Sequence, residues 1–148
     1  MSAPAKRGPR GRPDLAYADT NLFVALLVGS DHPLHEQALG VFRRVAERQL
    51  GLIVTPIVVA ELAYVARSLL GWTRRLTAQR LGALLEADGL VLSEGPVLAR
   101  ALRLFGERSR LDFADAYLAA LALEVGPPAV ASSDAELDTV EGVRRISA

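Results

Sequence analysis

The stretch LIVTPIVVAELAYV, residues 52–65, predicts a buried strand followed directly by a helix. Residues 52–54 are an apolar, largely β-branched run of strand type. Thr55 is a good N-cap residue, and Pro56 suits the first position of a helix. The apolar residues that follow predict a helix to about Leu70. A buried strand that leads into a helix is the repeating unit of α/β folds.

The same alternation of short apolar runs and longer helical segments extends along the chain. The predicted strands are residues 15–18, 52–54, 90–92, 129–131 and 143–146. The predicted helices are residues 31–49, 55–70, 77–87, 96–108 and 115–125. Strands separated by helices pair in parallel, so the predicted fold class is α/β, with a mostly parallel central sheet and helices on both faces.

Composition indicates a single domain of an ordinary kind. The chain has 148 residues, 51% of them hydrophobic, which is enough to bury a core. It has no cysteine, which excludes disulfides, thiolate catalysis and cysteine-bound zinc. Because no apolar run reaches the length of a membrane span and no signal peptide is recognisable, we expect a cytoplasmic protein with no membrane partner.

Charge is distributed unevenly although the net charge is zero. Residues 1–13 carry four basic side chains and no acid, so we predict a disordered basic tail there and a folded domain over residues 14–148. The domain has a net charge of −4. A domain that binds nucleic acid is usually basic, so an acidic one needs bound cations to offset its charge.

Asp19 follows the first predicted strand, in Ala18-Asp19-Thr20-Asn21. In open α/β sheets, ligands bind beyond the carboxyl ends of the strands. Asp, Thr and Asn all cap helices well, but one cap explains only one of the three polar residues. We therefore favour a functional role for Asp19.

Glu61 lies in the middle of a predicted helix, with Ile57, Val58, Tyr64 and Val65 three and four residues away. A carboxylate on so apolar a face is costly unless it is paired or bound to a cation. An ion pair with an arginine from elsewhere is the alternative explanation. Ionisable groups in such surroundings cluster at functional sites, which favours metal binding or catalysis.

Asp115 and Asp134 are more ambiguous. Asp115 opens a predicted helix, but Asp112 is a possible N-cap three residues earlier, with Asp115 as its acidic partner at the positive helix end. Asp134 follows the fourth predicted strand in Ser132-Ser133-Asp134, where such residues often only shape a turn. Either residue alone has a structural explanation.

The four carboxylates together predict a metal site. Two of them end strands, and the other two lie on helices that can reach the same edge of the sheet. Four carboxylates cannot converge without a neutralising partner, and hard oxygen ligands suit Mg²⁺ or Mn²⁺. A metal held in this way activates water and offsets charge on a phosphate, which is the chemistry of phosphodiester hydrolysis.

At this point the sequence resembles the PIN-domain ribonucleases, especially the VapC-type toxins of bacterial toxin–antitoxin pairs, over about residues 15–146. The four motifs that carry the resemblance are Asp19-Thr20-Asn21, VAEL at residues 59–62, DFADAYLAA at residues 112–120 and Ser132-Ser133-Asp134. The fourth motif departs from the family, which often has Thr where Ser132 stands and an aromatic residue shortly after the acid.

The resemblance implies a three-layer α/β/α sandwich and cleavage of RNA that depends on Mg²⁺ or Mn²⁺. It implies that Asp19, Glu61, Asp115 and Asp134 form the metal-binding and catalytic set, with Asp112 as a cap or supporting group. It also implies a homodimer and inhibition by a small partner antitoxin.

Two other functions compete with this hypothesis. The first is a PIN-like binding module with an inactive site, which acts through partner contacts. The second is a phosphotransfer enzyme with an aspartyl phosphate, and it ranks lower because Asn21 stands where a second Asp is usual and Lys6 is the only lysine. His32 and His35 do not make a metal site, since no third nitrogen or sulfur ligand exists.

Overall fold

Three parallel strands form the first sheet. The computed structural model describes residues 11–147. The strands hydrogen-bond in chain order, and they are β1 (Asp14–Tyr17), β2 (Leu50–Val54) and β3 (Leu90–Leu92). Just past the strand ends, the Ala18 N–H donates to the Ile53 carbonyl at 2.9 Å and the Ser93 N–H donates to the Val54 carbonyl at 3.0 Å. The carboxyl ends of the three strands therefore lie side by side at one edge.

Two further strands form a second, smaller sheet. They are β4 (Ala129–Ala131) and β5 (Arg144–Ile146), which pair in parallel. All five predicted strands are present, and every strand pair within residues 11–147 is parallel, as predicted. The predicted single sheet is divided into sets of three and two strands.

In the described part of the chain, six α-helices surround the strands, together with one 3-10 helix at Ala135–Thr139. They are α1 (Thr20–Val28), α2 (His35–Ala46), α3 (Pro56–Ser68), α4 (Arg74–Leu85), α5 (Gly95–Glu107) and α6 (Phe113–Glu124). α1 packs on α2 and α3, α4 packs between α3 and α5, and α6 packs on α5 and β4. This alternation of strands and helices is a three-layer α/β/α arrangement, which confirms the predicted fold class.

The core lies between the central strand and the helices. Leu52 and Val54 of β2 are 2% and 0% exposed, and Leu62, Leu98 and Ala116 of the surrounding helices are equally buried. Burying a leucine or valine side chain contributes about 1.5–3 kcal/mol. β2 is therefore the buried centre of the first sheet, and β1, which precedes Asp19, pairs along one side of it.

Three helices differ from the sequence prediction, and α4 is one of them, since it begins at Arg74 rather than at residue 77. α1 was absent from the predicted helices, because its nine residues are too uniformly apolar for periodicity to separate a helix from a strand. α2 begins at His35 rather than at residue 31, and its N-cap residue is Leu34 rather than Asp31. A turn takes up the difference, in which the His32 N–H donates to the Gly29 carbonyl at 2.9 Å.

Residues 1–10 of the predicted basic tail lie outside the described residues, so its disorder stays a prediction. The first strand begins at Asp14. Within residues 11–147, none of the helices is long and apolar enough to cross a membrane.

Candidate active site

Asp19 lies between β1 and α1, at the carboxyl end of the sheet. It occupies the N-cap position of α1, with φ −85° and ψ 149°. Among the described residues, however, its carboxylate makes no capping hydrogen bond to the helix. The capping explanation therefore accounts for the position of the Asp19 backbone but leaves its exposed carboxylate available to a ligand.

Glu61 lies one and a half turns into α3, and the Thr20 hydroxyl donates a hydrogen bond to its Oε2 atom. This contact links α3 to the first residue of α1, the residue that follows Asp19. Glu61 is exposed, and its neighbours Ile57 and Tyr64 are 72% and 73% exposed. The prediction that an apolar helix face desolvates Glu61 is therefore wrong for a single copy of the chain. The position of Glu61 beside Asp19 still supports its assignment to the metal site.

Asp115 lies in the first turn of α6, close to Asp134 at the carboxyl end of β4. Burial raises the pKa of the Asp115 carboxyl, and a side-chain hydrogen bond with Asp134 raises that pKa further. The charges of Asp134 and Asp112 act in the same direction. Because two ionised carboxylates only accept hydrogen bonds, this pair needs either a shared proton or a cation.

Asp134 also shapes its own turn, as the sequence suggested. Its N–H donates to the Ser132 hydroxyl at 3.0 Å, and its Oδ1 accepts from the Glu136 N–H at 2.9 Å. Arg145 of β5 holds this turn by donating to both carboxylate oxygens of Asp138, at 3.0 and 2.9 Å, and to the Ser132 carbonyl at 3.2 Å. Asp134 is thus fixed by its surroundings on the side facing Asp115.

Asp112 occupies the N-cap position of α6, which explains why that helix begins at Phe113. In the part of the chain that the structure describes, its side chain makes no capping hydrogen bond. Its charge instead acts on Asp115 and on Arg74 of α4. The prediction that Asp112 is a cap holds for its backbone, and its carboxylate faces the acidic pair.

The acids therefore form two groups rather than one compact cluster. Asp115, Asp134 and Asp112 interact with one another, while Glu61 is joined to Thr20 beside Asp19. Within residues 11–147, no three His, Cys, Asp or Glu side chains are close enough to hold a metal ion. The donor chemistry fits a hard cation such as Mg²⁺, and the mutual repulsion around Asp115 is what such a cation relieves. Within the described residues, the two groups of acids are not close enough together to bind one ion.

Both histidines have structural contacts near the start of α2. The ring Nδ1 of His32 accepts from the Leu34 N–H at 3.1 Å. The ring Nδ1 of His35 lies 3.0 Å from the carbonyl oxygen of Ala25 in α1.

Sequence reasoning missed two residues that shape the site. Thr20 was taken only as part of a polar triplet, yet it is 7% exposed and holds Glu61. The second residue is Arg74, which donates to the carbonyl of Leu111, just before Asp112. The signal for Thr20 was its place between Asp19 and a buried helix, whereas only the fold reveals the partner of Arg74.

Comparison with models of protein families identifies the family of this chain. A family model described as the PIN domain matches residues 16–143, which is most of the chain. The chain belongs to the PIN domain family. The matched range contains the end of β1, β2 to β4 and all four predicted acids, so this PIN domain has the nuclease-like fold typical of its family. Searches of curated proteins and of solved structures found no match.

Family membership confirms the coarser part of the resemblance. PIN domains are generally nucleases that use divalent metals and typically bind RNA.

Proposed function

We propose that this PIN domain is a metal-dependent endoribonuclease, with Asp19, Glu61, Asp115 and Asp134 as ligands of Mg²⁺ or Mn²⁺ and as its catalytic set. The observation that carries the proposal is the Asp115–Asp134 pair, in which burial and then the neighbouring carboxylates raise the pKa of Asp115. Perturbed carboxylates of this kind concentrate at functional sites. A cation-binding site is the simplest reason to keep such repulsion at the carboxyl end of a sheet.

The residues of the chain would divide the work at this site. The Thr20 hydroxyl orients Glu61, so that its carboxylate points toward the end of β1. When no cation is bound, burial and then the neighbouring Asp134 raise the pKa of the Asp115 carboxyl. A bound divalent ion would supply activation of a water molecule and would offset the charge that develops on a scissile phosphate. The net charge of −4 over residues 14–148 disfavours the approach of an RNA strand, and a divalent ion would offset part of that charge.

The test is RNA cleavage by the purified full-length chain with Mg²⁺, with Mn²⁺ and with EDTA. We expect cleavage only with metal, and we expect Asp19→Asn to abolish it while the far-ultraviolet circular dichroism spectrum stays unchanged. Asp88→Asn is the matched control, because Asp88 is exposed and lies at the amino end of β3, away from the acids. Undiminished cleavage by Asp19→Asn would refute the assignment.

We further propose that the protein acts in the cytoplasm as the toxin of a type II toxin–antitoxin pair, as a homodimer inhibited by a small antitoxin. The exposed apolar side chains of Ile57, Tyr64 and Leu69 support a protein partner, since they lie along α3 on both sides of Glu61. Light scattering tests the dimer. Growth arrest on expression, relieved by the product of a neighbouring small gene, tests the toxin role.

A PIN-like binding module with an inactive site is the second candidate. The observation that favours it is the lack, within residues 11–147, of three converging metal-ligating side chains. Isothermal titration with Mn²⁺ separates the two functions. Binding that disappears in Asp115→Asn favours the nuclease, and no binding at millimolar Mn²⁺ favours the module.

A further inference from the structure

Arg74, the first residue of α4, makes three contacts that together join separate parts of the chain. Its Nε donates to the Phe105 carbonyl at 3.1 Å, and its Nη2 donates to the Leu111 carbonyl. Its guanidinium carbon also lies 4.0 Å from the centre of the Phe105 ring. The planar guanidinium is suited to this task because its donors point in fixed directions.

The two carbonyls lie at the two ends of the connection between α5 and α6. Phe105 is in the last turn of α5, where carbonyl groups lack partners within the helix. Leu111 is buried and immediately precedes Asp112, the N-cap residue of α6. Arg74 therefore sets the distance between the end of α5 and the start of α6.

The electrostatic surroundings of Arg74 point to the same end of α6. Burial and the neighbouring Arg67 lower the pKa of Arg74, while Asp112 opposes them. Asp112 in turn acts on Asp115. The guanidinium thus lies beside the acidic group, and among residues 11–147 it has no carboxylate within ion-pair distance. Its hydrogen bonds go to backbone carbonyls, which is the pattern of a structural tie rather than of a charge neutraliser.

We propose that Arg74 is a positioning residue, which fixes the first turn of α6 and thereby the place of the Asp115 carboxylate opposite Asp134. Its effect on metal binding rests on the proposed nuclease function. Its effect on the start of α6 does not, because that follows from the contacts of Arg74 alone.

A matched control lies at the opposite end of α6 from Asp115. Arg100 of α5 forms an ion pair with Glu124, the last residue of α6, at 2.5 Å. Arg74→Met and Arg100→Met make the same chemical change and each removes a tie to α6. Only the first is expected to loosen the end that carries Asp115.

The experiment is hydrogen–deuterium exchange of the full chain combined with Mn²⁺ titration, for wild type and both variants. The reporter is the Ala116 amide, which donates to the Asp112 carbonyl at 2.9 Å in the first turn of α6. In Arg74→Met we expect about tenfold faster exchange there and about tenfold weaker Mn²⁺ binding, the range seen when a group that orients a metal ligand is removed. Arg100→Met is expected to leave both values as in wild type.

Equal exchange of the first turn of α6 in wild type and Arg74→Met would overturn the inference. If wild type binds no Mn²⁺, the proposed function fails, and the exchange result still decides the role of Arg74. Arg74→Lys keeps the charge but not the paired donors, so we expect it to exchange faster than wild type as well. An Ala116 exchange rate in Arg74→Lys equal to that of wild type would contradict the positioning role of Arg74. Arg74→Lys also replaces Arg74→Met in the experiment if Arg74→Met does not fold.

Discussion

The two groups of acids are held in different ways. Asp115 and Asp134 are partly buried, interact with each other and lie on segments tied by arginines. Asp19 and Glu61 are exposed, and the contact that holds Glu61 is the neutral Thr20 hydroxyl. Partly buried like charges repel one another, whereas exposed carboxylates are solvated at little cost. A bound cation should therefore stabilise Asp115 and Asp134 most. Asp19 and Glu61 should supply the remaining ligands of that cation.

The largest expected effect is stabilisation by metal. At a Mn²⁺ concentration about 100 times the dissociation constant, mass action raises the free energy of unfolding by about 2.7 kcal/mol. We expect this gain in wild type and its loss in Asp115→Asn, because that variant removes the carboxylate with the strongest need for a cation. Thermal denaturation with Mn²⁺ and with EDTA measures the gain.

Asp19→Asn extends the same measurement to the other group. A loss of stabilisation similar to that in Asp115→Asn means that one ion is shared by both groups. Full stabilisation of Asp19→Asn by Mn²⁺ would contradict a shared site, and the two groups would then have to act separately.

A smaller effect is expected from Thr20→Val, which keeps the shape of the side chain and removes the hydroxyl that binds Glu61. The lost hydrogen bond should lower the free energy of unfolding by about 1 kcal/mol. Mn²⁺ binding should weaken as well, because Glu61 is no longer oriented. Ser68→Ala is the control, since Ser68 is on the same helix and its hydroxyl donates to the Tyr64 carbonyl at 2.7 Å. Equal Mn²⁺ affinity in the two variants would exclude an orienting role for Thr20.

The comparison of the two groups also explains which parts of the site were visible in the sequence. Asp19 was found because strand ends and polar triplets are local patterns, and the fold confirmed that this strand lies in a parallel sheet. Glu61 was selected for a wrong physical reason, because a helical pattern does not reveal whether an apolar face is covered. Such a face is buried in most proteins, and here it is open around Ile57 and Tyr64.

Contacts between residues that are far apart in the chain could not be predicted from the sequence. Arg74 and Leu111 are 37 residues apart, and no periodicity relates them. The same holds for Thr20 and Glu61, which are 41 residues apart. The division of the strands into sets of three and two was also not predicted, since alternation of strands and helices gives the class of sheet but not its continuity.

The smallest expected effect is a pH-dependent gain in stability in the absence of metal. The pKa of Asp115 is raised in the folded state, chiefly by burial and then by Asp134. A raised folded pKa means that wild type is favoured below the ordinary carboxyl pKa and loses stability as the pH rises through the raised value. Asp115→Asn avoids that loss, so at neutral pH it should be more stable than wild type, by at most about 1 kcal/mol because solvent screens the pair.

Asp138→Asn is the reference variant, because the pKa of Asp138 is shifted in the opposite direction to that of Asp115. Its hydrogen bonds with Arg145 lower the pKa of its carboxyl, so its contribution is present above the ordinary pKa and is lost as the pH falls through the lowered value. In EDTA, Asp138→Asn should therefore be less stable than wild type at neutral pH, and Asp115→Asn more stable. Both differences should shrink toward pH 3, where carboxylates are largely protonated. A gain in Asp115→Asn that persists unchanged at low pH would show that repacking rather than charge repulsion is its cause.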